Sequence, residues 1–378
     1  MVVGRGSLIP TTTRLPAAAL SCCSLLLISL LLLTGCQPRH DGAALLDDYA
    51  WRMSNVFGFD WQAPALPVLQ PPYPGRRQLQ RSVTTTSINL LDFLKLSPCD
   101  LQRLLGERNS SLGKVMAESQ RLAYELAFIE SANRCIRQLQ ADGDTSGLVQ
   151  ILSAAVRSKR ASLADVHWNA TWASPEFQTL FSEADHPVVA SYWQQPLTEL
   201  LESLESLLGG PGNWQPGAEE SWQSLRSRRE QQLGVVARGN YLGQLRREMF
   251  QARLYLQAVE RQVRERQARR PVCLMQRLSD DGRVMQRVML RSYIGEVQPL
   301  LSALDRRLLQ LRPLLQASLQ QQSGLPQPMA DYWQQVWSED AGSEWQAFRA
   351  AVASHTRMWQ ELLHHCGLQP GTPAGAGG

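Results

Sequence analysis

Apolar residues recur at intervals of three and four positions through most of the chain, with polar and charged residues between them. This spacing places one apolar stripe along an α-helix. The runs cover residues 112–140, 187–208, 219–269, 284–317 and 343–366. We therefore predict an all-α protein in which long antiparallel helices form a helical bundle.

Local signals mark where these helices begin and weaken. Ser97-Pro98 and Ser174-Pro175 each pair an N-cap residue with a proline at the first helical position. Pro299 and Pro313 predict bends in the run that contains them. Three glycines predict weak points in the run from Glu219 to Arg269: Gly234, Gly239 and Gly243.

The region before the bundle has a different pattern. Residues 43–57 have helical spacing, and residues 61–77 hold five prolines that predict an extended, semi-rigid segment. Such a segment serves either as a spacer or as a strap across the body. Residues 82–96 are rich in Thr and Val and favour a strand. We divide the chain into a leader (1–35), a tether with a short helix and the Pro-rich segment (36–85), a helical domain (86–366) and a disordered tail (367–378).

The leader has a basic start, an apolar core over residues 17–33 and a small-residue exit, as secretory signal peptides do. Its end, Leu33-Thr34-Gly35-Cys36, resembles the bacterial lipobox. That resemblance implies cleavage before Cys36 and acylation of its thiol and new amino group. The alternative is an uncleaved membrane anchor. Such an anchor usually ends in a cluster of basic residues, whereas only Arg39 follows closely here.

Lipidation at Cys36 predicts a membrane partner, because several acyl chains together hold a protein stably on a bilayer. Gln37 follows the cysteine, and in Gram-negative lipoprotein sorting a residue other than Asp favours the inner leaflet of the outer membrane. Removing the leader lowers the formal net charge from +4 to +2, since it contains two arginines and no acidic residue. That balance argues neither for nucleic acid nor for an anionic surface, and we predict no nucleic-acid partner.

Four cysteines remain beyond Cys36, and an oxidising compartment predicts that they form two disulfides. They are Cys99, Cys135, Cys273 and Cys366. Pairing Cys99 with Cys135 closes the shortest loop. If residues 112–137 form one helix, however, Cys99 needs an extended or back-folded path to reach Cys135. The pairing therefore stays open among three arrangements.

Three stretches carry a resemblance to a known family. They are the lipobox, the segment Cys99–Cys135 with RNSSLGK at Arg108–Lys114, and YIGEVQPLL at Tyr293–Leu301. Together they resemble a proteobacterial lipoprotein family known as the domain of unknown function numbered 3080. The resemblance covers most of the mature chain. It implies a lipoprotein and supplies no catalytic residues.

RNSSLGK also suggests an anion-binding loop, because it places capping residues before a helix with a basic residue on each side. The candidate residues are Arg108, Asn109, Ser110, Ser111 and Lys114. The alternative is an ordinary capping loop with a surface arginine. Arg264–Arg270 has a net positive excess, and it is either a solvated helix face or a contact for lipid headgroups or an acidic partner.

Other candidates for chemistry have simpler structural explanations. Two E-x-x-H pairs occur, Glu183–His186 and Glu361–His364, but Pro187 opposes a helical geometry for the first. We therefore predict no metal site and no cofactor. His167 lies near Asp165 and Trp168, where a structural histidine is the expected role. Most tryptophans fall on apolar stripes and predict core positions, while Trp168 and Trp172 are candidates for a glycan or peptide groove.

The sequence thus favours a non-enzymatic lipoprotein at the outer membrane, facing the periplasm, that binds or scaffolds another envelope component. The alternative is a hydrolase or ligand-binding protein acting on a cell-wall or lipid substrate. Its site would lie around His167 or in the Arg108–Lys114 loop.

Overall fold

The computed structural model describes residues 41–84, Leu96, Cys99, 101–183, 188–216 and 221–368. In these residues the secondary structure is helical, with two isolated β-bridges and no strand, so the predicted all-α class is confirmed. The leader, Cys36, most of the strand-like stretch, Ser97-Pro98 and most of the C-terminal tail lie outside the described residues.

The α-helices are numbered in chain order. They are α1 (Gly42–Phe57), α2 (Arg76–Leu79), α3 (Leu101–Asn109), α4 (Ser111–Lys114), α5 (Glu118–Ala141), α6 (Leu148–Ala170), α7 (Pro175–Phe181), α8 (Thr198–Leu208), α9 (Trp222–Val236), α10 (Tyr241–Arg269), α11 (Asp280–Val288), α12 (Gln298–Gln320), α13 (Gln327–Val336) and α14 (Glu344–His365).

The long apolar runs are divided more often than their stripes predict. The run at residues 219–269 breaks between α9 and α10, where Gly239 and Asn240 both have positive φ. Pro196 separates a 3₁₀ turn, Ala190–Gln194, from α8. A π-helical stretch, Met289–Val297, joins α11 to α12, and Pro313 lies inside α12. The expected start of α7 is confirmed, because the Ser174 hydroxyl accepts from the Phe177 amide.

Helix pairs run in both relative directions. A short loop joins α5 to α6, and the two helices pack extensively on each other, with Lys159 paired to Glu125, so they are antiparallel as predicted. By contrast, α10 and α14 run parallel, since contacts between them advance along both helices from Arg246–Glu344 to Arg264–Glu361. The helices α11, α12 and α13 return the chain from the end of α10 to the level of its start, where α14 begins.

Two apolar clusters form the core. The larger one includes residues from α1, α7, α8, α10, α12 and α14, and its largest fully buried side chains include five tryptophans: Trp168, Trp172, Trp193, Trp214 and Trp337. The smaller cluster lies among α3, α5 and α6. The predicted core role of most tryptophans is confirmed, because the apolar stripes meet in these clusters.

The Pro-rich segment packs against the body as a strap. Tyr73 is buried, and its ring stacks on Phe181 at a centroid distance of 4.5 Å while Tyr332 meets it edge-on. Its hydroxyl donates to the Trp172 carbonyl at 2.8 Å. The spacer alternative therefore does not describe this segment.

Both disulfides join a cysteine to the next one along the chain. Cys99 pairs with Cys135 and Cys273 pairs with Cys366, at Cα separations of 5.7 and 5.1 Å. The expected single helix over residues 112–140 is wrong, since α3 and α4 precede α5 as separate helices. Because α3 folds back along α5, Cys99 reaches Cys135 by the back-folded path.

The start of α1 packs on a buried carboxyl group. Glu248 of α10 is only 4% exposed, and its Oε2 has no hydrogen-bond partner within the described residues. A side chain at Gly42 would overlap this carboxyl, so glycine permits the contact. Burial, with a smaller contribution from Asp41, raises the pKa of Glu248 to about 7.

Replacing Glu248 with Gln is expected to stabilise the protein by about 2 kcal/mol at about pH 8, where the buried carboxyl is ionised. A carboxyl group whose pKa is raised by folding stabilises the folded state at pH values below its unfolded pKa. That stabilisation is lost as the pH rises towards 7. The advantage of the variant should therefore shrink to zero by about pH 4.5. Urea unfolding across this pH range measures the difference.

The comparison must be made against wild type at each pH. Burial lowers the pKa of His167 and His355 to about 4, so both lose stabilisation as pH falls from 6.5 towards 4. These histidines are present in both proteins and cancel in the difference. A Glu248→Gln effect that does not vary with pH would contradict the assignment.

Candidate functional site

An open cleft with a volume of about 780 Å³ lies between the α3–α5 segment and α9. Polar groups from both walls face it, and an apolar edge borders it. Its lining residues are Glu107, Arg108, Ser110, Leu112, Gly113, Met116, Gln120, Tyr124, Arg226, Ser227 and Glu230. The cleft thus includes part of the RNSSLGK segment that the sequence analysis selected.

The first wall is built by a capped turn. The Ser110 hydroxyl accepts from the Gly113 amide at 3.0 Å and donates to the Glu107 carbonyl at 2.7 Å, which fixes the start of α4. A side chain at Gly113 would overlap the Glu107 and Arg108 carbonyls, so the turn requires glycine. Arg108 closes it by donating to the Gly113 carbonyl.

The structure divides the predicted anion-binding set. Arg108 and Ser110 line the cleft, whereas Asn109, Ser111 and Lys114 are exposed and do not line it. The Ser110 hydroxyl is already engaged as the cap of α4. The capping role therefore accounts for Ser110, and Arg108 is the one charged member of the set that faces the cleft.

The second wall contributes a cation that the sequence analysis did not assign to this site. Arg226 of α9 is half-buried, and its buried Nε has no hydrogen-bond partner within the described residues. It follows Arg108 by more than a hundred positions, so only tertiary packing brings the two together. The two arginines belong to separate helical runs, and no pattern in the sequence indicates that they lie close together.

The other polar groups of the cleft have partners or are neutral. Glu107 pairs with Arg103, and Glu230 accepts from the Ser119 hydroxyl at 2.7 Å. Burial, with the nearby Glu125 carboxylate, raises the pKa of Tyr124, so its phenol stays protonated and can donate a hydrogen bond. The cleft therefore presents the donors of Arg108, Arg226 and Tyr124 together with the Glu230 carboxylate, one helical turn from Arg226 on α9.

The edge of the cleft is apolar and open to solvent. Leu112 on the short helix α4 is 81% exposed and Val115, directly after that helix, is 78% exposed, while Met116 is half-buried beside them. Adjacent exposed apolar residues next to a polar cleft are typical of an interaction surface. Together the groups favour a ligand that has an anionic part and an apolar part.

The residues proposed for a hydrolase are not brought together. His167 is buried, with Nε2 at 2.8 Å from the Leu207 carbonyl oxygen, and its pKa is lowered by burial. Asp165 instead accepts from Arg81 at 3.1 Å. Trp168 and Trp172 are fully buried, so the prediction that they line a groove is wrong; Trp172 donates to the Ser318 hydroxyl within the core.

The part of the chain that the structure describes contains no group of three or more His, Cys, Asp or Glu residues placed to hold a metal ion. Glu361 pairs with Arg264 at 2.8 Å, and Glu183 accepts from the Leu69 amide. His186, the partner of Glu183 in the E-x-x-H pattern, lies outside the described residues.

Comparison with known proteins places this chain in a family. The family model described as "Protein of unknown function (DUF3080)" matches residues 46–370. The chain belongs to the DUF3080 family. No curated protein and no solved structure matches it.

The matched region of this DUF3080 protein includes both disulfides and the whole cleft. Within the described residues, no helix is both long enough and apolar enough to cross a bilayer.

Proposed function

We propose that this DUF3080 protein is a lipoprotein anchored through Cys36 in the inner leaflet of the outer membrane, where it binds another envelope component. The leader and the lipobox-like end at residues 33–36 support the anchor. The two disulfides support an oxidising compartment, because such bonds are rare where thiols are kept reduced.

The cleft is the binding site in this proposal. The observation that carries it is the half-buried Arg226, whose Nε has no hydrogen-bond partner in the described residues and whose guanidinium lies in one cleft with Arg108 and the Tyr124 phenol. Guanidinium groups in a partly desolvated cleft recognise carboxylates and phosphates through paired hydrogen bonds. Such a site is incomplete until an anion occupies it.

The exposed apolar edge extends the recognition. Leu112 and Val115 offer a surface that a polar small molecule would not cover. The partner that fits both features is an amphipathic segment of an envelope protein, with an acidic side chain for Arg226 and apolar side chains for α4. Arginine and tyrosine are enriched among the residues that supply most of the energy at protein interfaces, and both occur in this cleft.

A photoreactive residue at Leu112 is expected to crosslink the full-length protein to an envelope protein in living cells. Adding Arg226→Glu should reduce the adduct about tenfold, because it places a negative charge where the acidic group of the partner binds. Gel shift and mass spectrometry of the adduct measure the yield and identify the partner.

Arg137→Glu is the matched control, because Arg137 is exposed on α5 and does not line the cleft. It changes the net charge equally and should leave the adduct unchanged. The cleft proposal fails if no adduct forms at Leu112 or if both charge reversals act alike. Mass spectrometry of the same protein also shows whether Cys36 is acylated, and an unmodified thiol there would refute the anchor.

A further inference from the structure

The loop between α10 and α11 has an exposed apolar tip, which is formed by Leu274 and Met275. Leu274 is 67% exposed and Met275 is 93% exposed. Two neighbouring side chains of this kind rarely remain in solvent without a partner. Neither residue lines the cleft beside α9, so the tip is a separate surface feature.

The backbone of the tip adopts a conformation that its residue types disfavour. Met275 and Gln276 have φ values of 50° and 55°, and the Arg277 amide donates to the Leu274 carbonyl at 3.0 Å. Successive positive φ values usually belong to Asn-Gly or Asp-Gly in a tight turn. Strained positions of this kind concentrate where a side chain has a function.

The loop is held from several sides. The Cys273–Cys366 disulfide fixes it to the end of α14, and the Ser279 hydroxyl donates to the Val272 carbonyl at 2.7 Å. A side chain at Gly367 would meet the Gln276 carbonyl oxygen at 2.7 Å, so the chain after α14 packs directly on the turn. The tip is therefore a preorganised apolar point.

The surroundings of the tip are basic. Seven arginines and three acidic residues occur from Arg264 to Arg287. Three of these arginines, Arg269, Arg270 and Arg277, are exposed close to the tip in the chain, and Arg269 also pairs with Glu265 at 3.8 Å. One of the acidic residues, Asp280, already pairs with Arg283. The net positive charge matches an anionic surface.

We propose that the Leu274-Met275 tip inserts into the interfacial region of an anionic lipid bilayer, with the flanking arginines on the headgroups. Exposed apolar side chains with a basic surround are the combination that holds peripheral proteins on such surfaces. A groove on a protein partner would instead need to accept the two apolar side chains while pairing the arginines around them. The membrane meets both requirements without a shaped pocket.

The tip lies beyond the C-terminal end of α10, away from the start of α1. Gly42, the first residue of α1, packs against Glu248, and the tip follows the end of α10 at Arg269. At 1.5 Å per residue these points are about 30 Å apart along α10. The tip therefore lies towards the opposite end of α10 from the contact between Gly42 and Glu248. The proposed contact of Leu274 and Met275 with lipid does not require the proposed anchor at Cys36.

The test places a diazirine-bearing residue at position 275 of the full-length protein, reconstituted into vesicles. Vesicles of phosphatidylcholine alone are compared with an equal mixture of phosphatidylcholine and phosphatidylglycerol. Illumination is expected to give lipid adducts, with about tenfold more in the anionic vesicles because arginines near such a surface favour binding. The control position is Val68, which is 77% exposed on the Pro-rich strap.

A second variant separates charge from position. Arg270→Gln with Arg277→Gln should remove most of the preference for anionic vesicles, while circular dichroism confirms the fold. Lipid adducts at position 275 no stronger than at Val68 would overturn the proposal, as would adducts mainly to a second protein chain. A failure here leaves the Leu112 crosslink untouched, so it is distinguishable from failure of the cleft proposal.

Discussion

Replacing Cys273 and Cys366 together with alanine is expected to lower the free energy of unfolding by about 4–5 kcal/mol. The bond spans 93 residues, and cross-links that close long loops most restrict the unfolded chain. It also holds the end of α14 against the loop that follows α10. Urea unfolding monitored by tryptophan fluorescence, without reductant, measures the loss.

The second disulfide supplies the control. Cys99–Cys135 spans 36 residues, so its removal is expected to cost about 4 kcal/mol, slightly less than the first. Because it lies beside the smaller cluster, its loss should mainly affect α3 and α5, which hydrogen exchange can resolve. Equal urea midpoints for wild type and the Cys273/Cys366 variant would contradict the expected stabilisation.

Replacing Arg246 with Met should destabilise the protein by about 3–5 kcal/mol, because it leaves a partly buried carboxylate unpaired. Arg246 is 4% exposed, and it donates to both carboxylate oxygens of Glu344 at 2.7 Å and to the Pro71 carbonyl at 2.7 Å. One guanidinium thus connects α10, the start of α14 and the Pro-rich strap. Thermal and urea unfolding report the change.

Adding Glu344→Gln to Arg246→Met should recover part of the loss, since the remaining partner is then neutral. The exposed Arg264–Glu361 pair has a similar distance of 2.8 Å but lies in solvent, so Arg264→Met should cost less than about 1 kcal/mol. A similar effect of Arg246→Met and Arg264→Met would show that burial of the first pair does not matter.

Local sequence signals predicted the features that depend on neighbouring residues within one helix, such as its cap and its end. Ser174 and Ser343 cap the helices that follow them, and Gly239 lies in the break between α9 and α10. The tryptophans on apolar stripes became core residues because a stripe has to be buried somewhere. The same reasoning predicted a cap near Ser110, but it did not predict that the capped helix α4 ends at Lys114 and that α5 begins separately at Glu118.

The candidate site was predicted only in part, for a physical reason. Arg108 was identifiable because its neighbours along the chain signal a capped turn. Arg226 was not, because its role depends on α9 packing beside α3–α5, and nothing near it in sequence encodes that contact. The disulfide pairing stayed open for the same reason, since it required the fold-back of α3.

The order of the disulfides has a consequence for biogenesis. The four cysteines in the described residues pair in chain order, Cys99 with Cys135 and Cys273 with Cys366, so the two covalent loops neither cross nor enclose one another. If the protein is exported as proposed, an oxidase that joins thiols as they emerge during translocation would form the native pairs directly, without a reshuffling step. Maturation of this protein should therefore be insensitive to loss of disulfide isomerase and sensitive to loss of the oxidase.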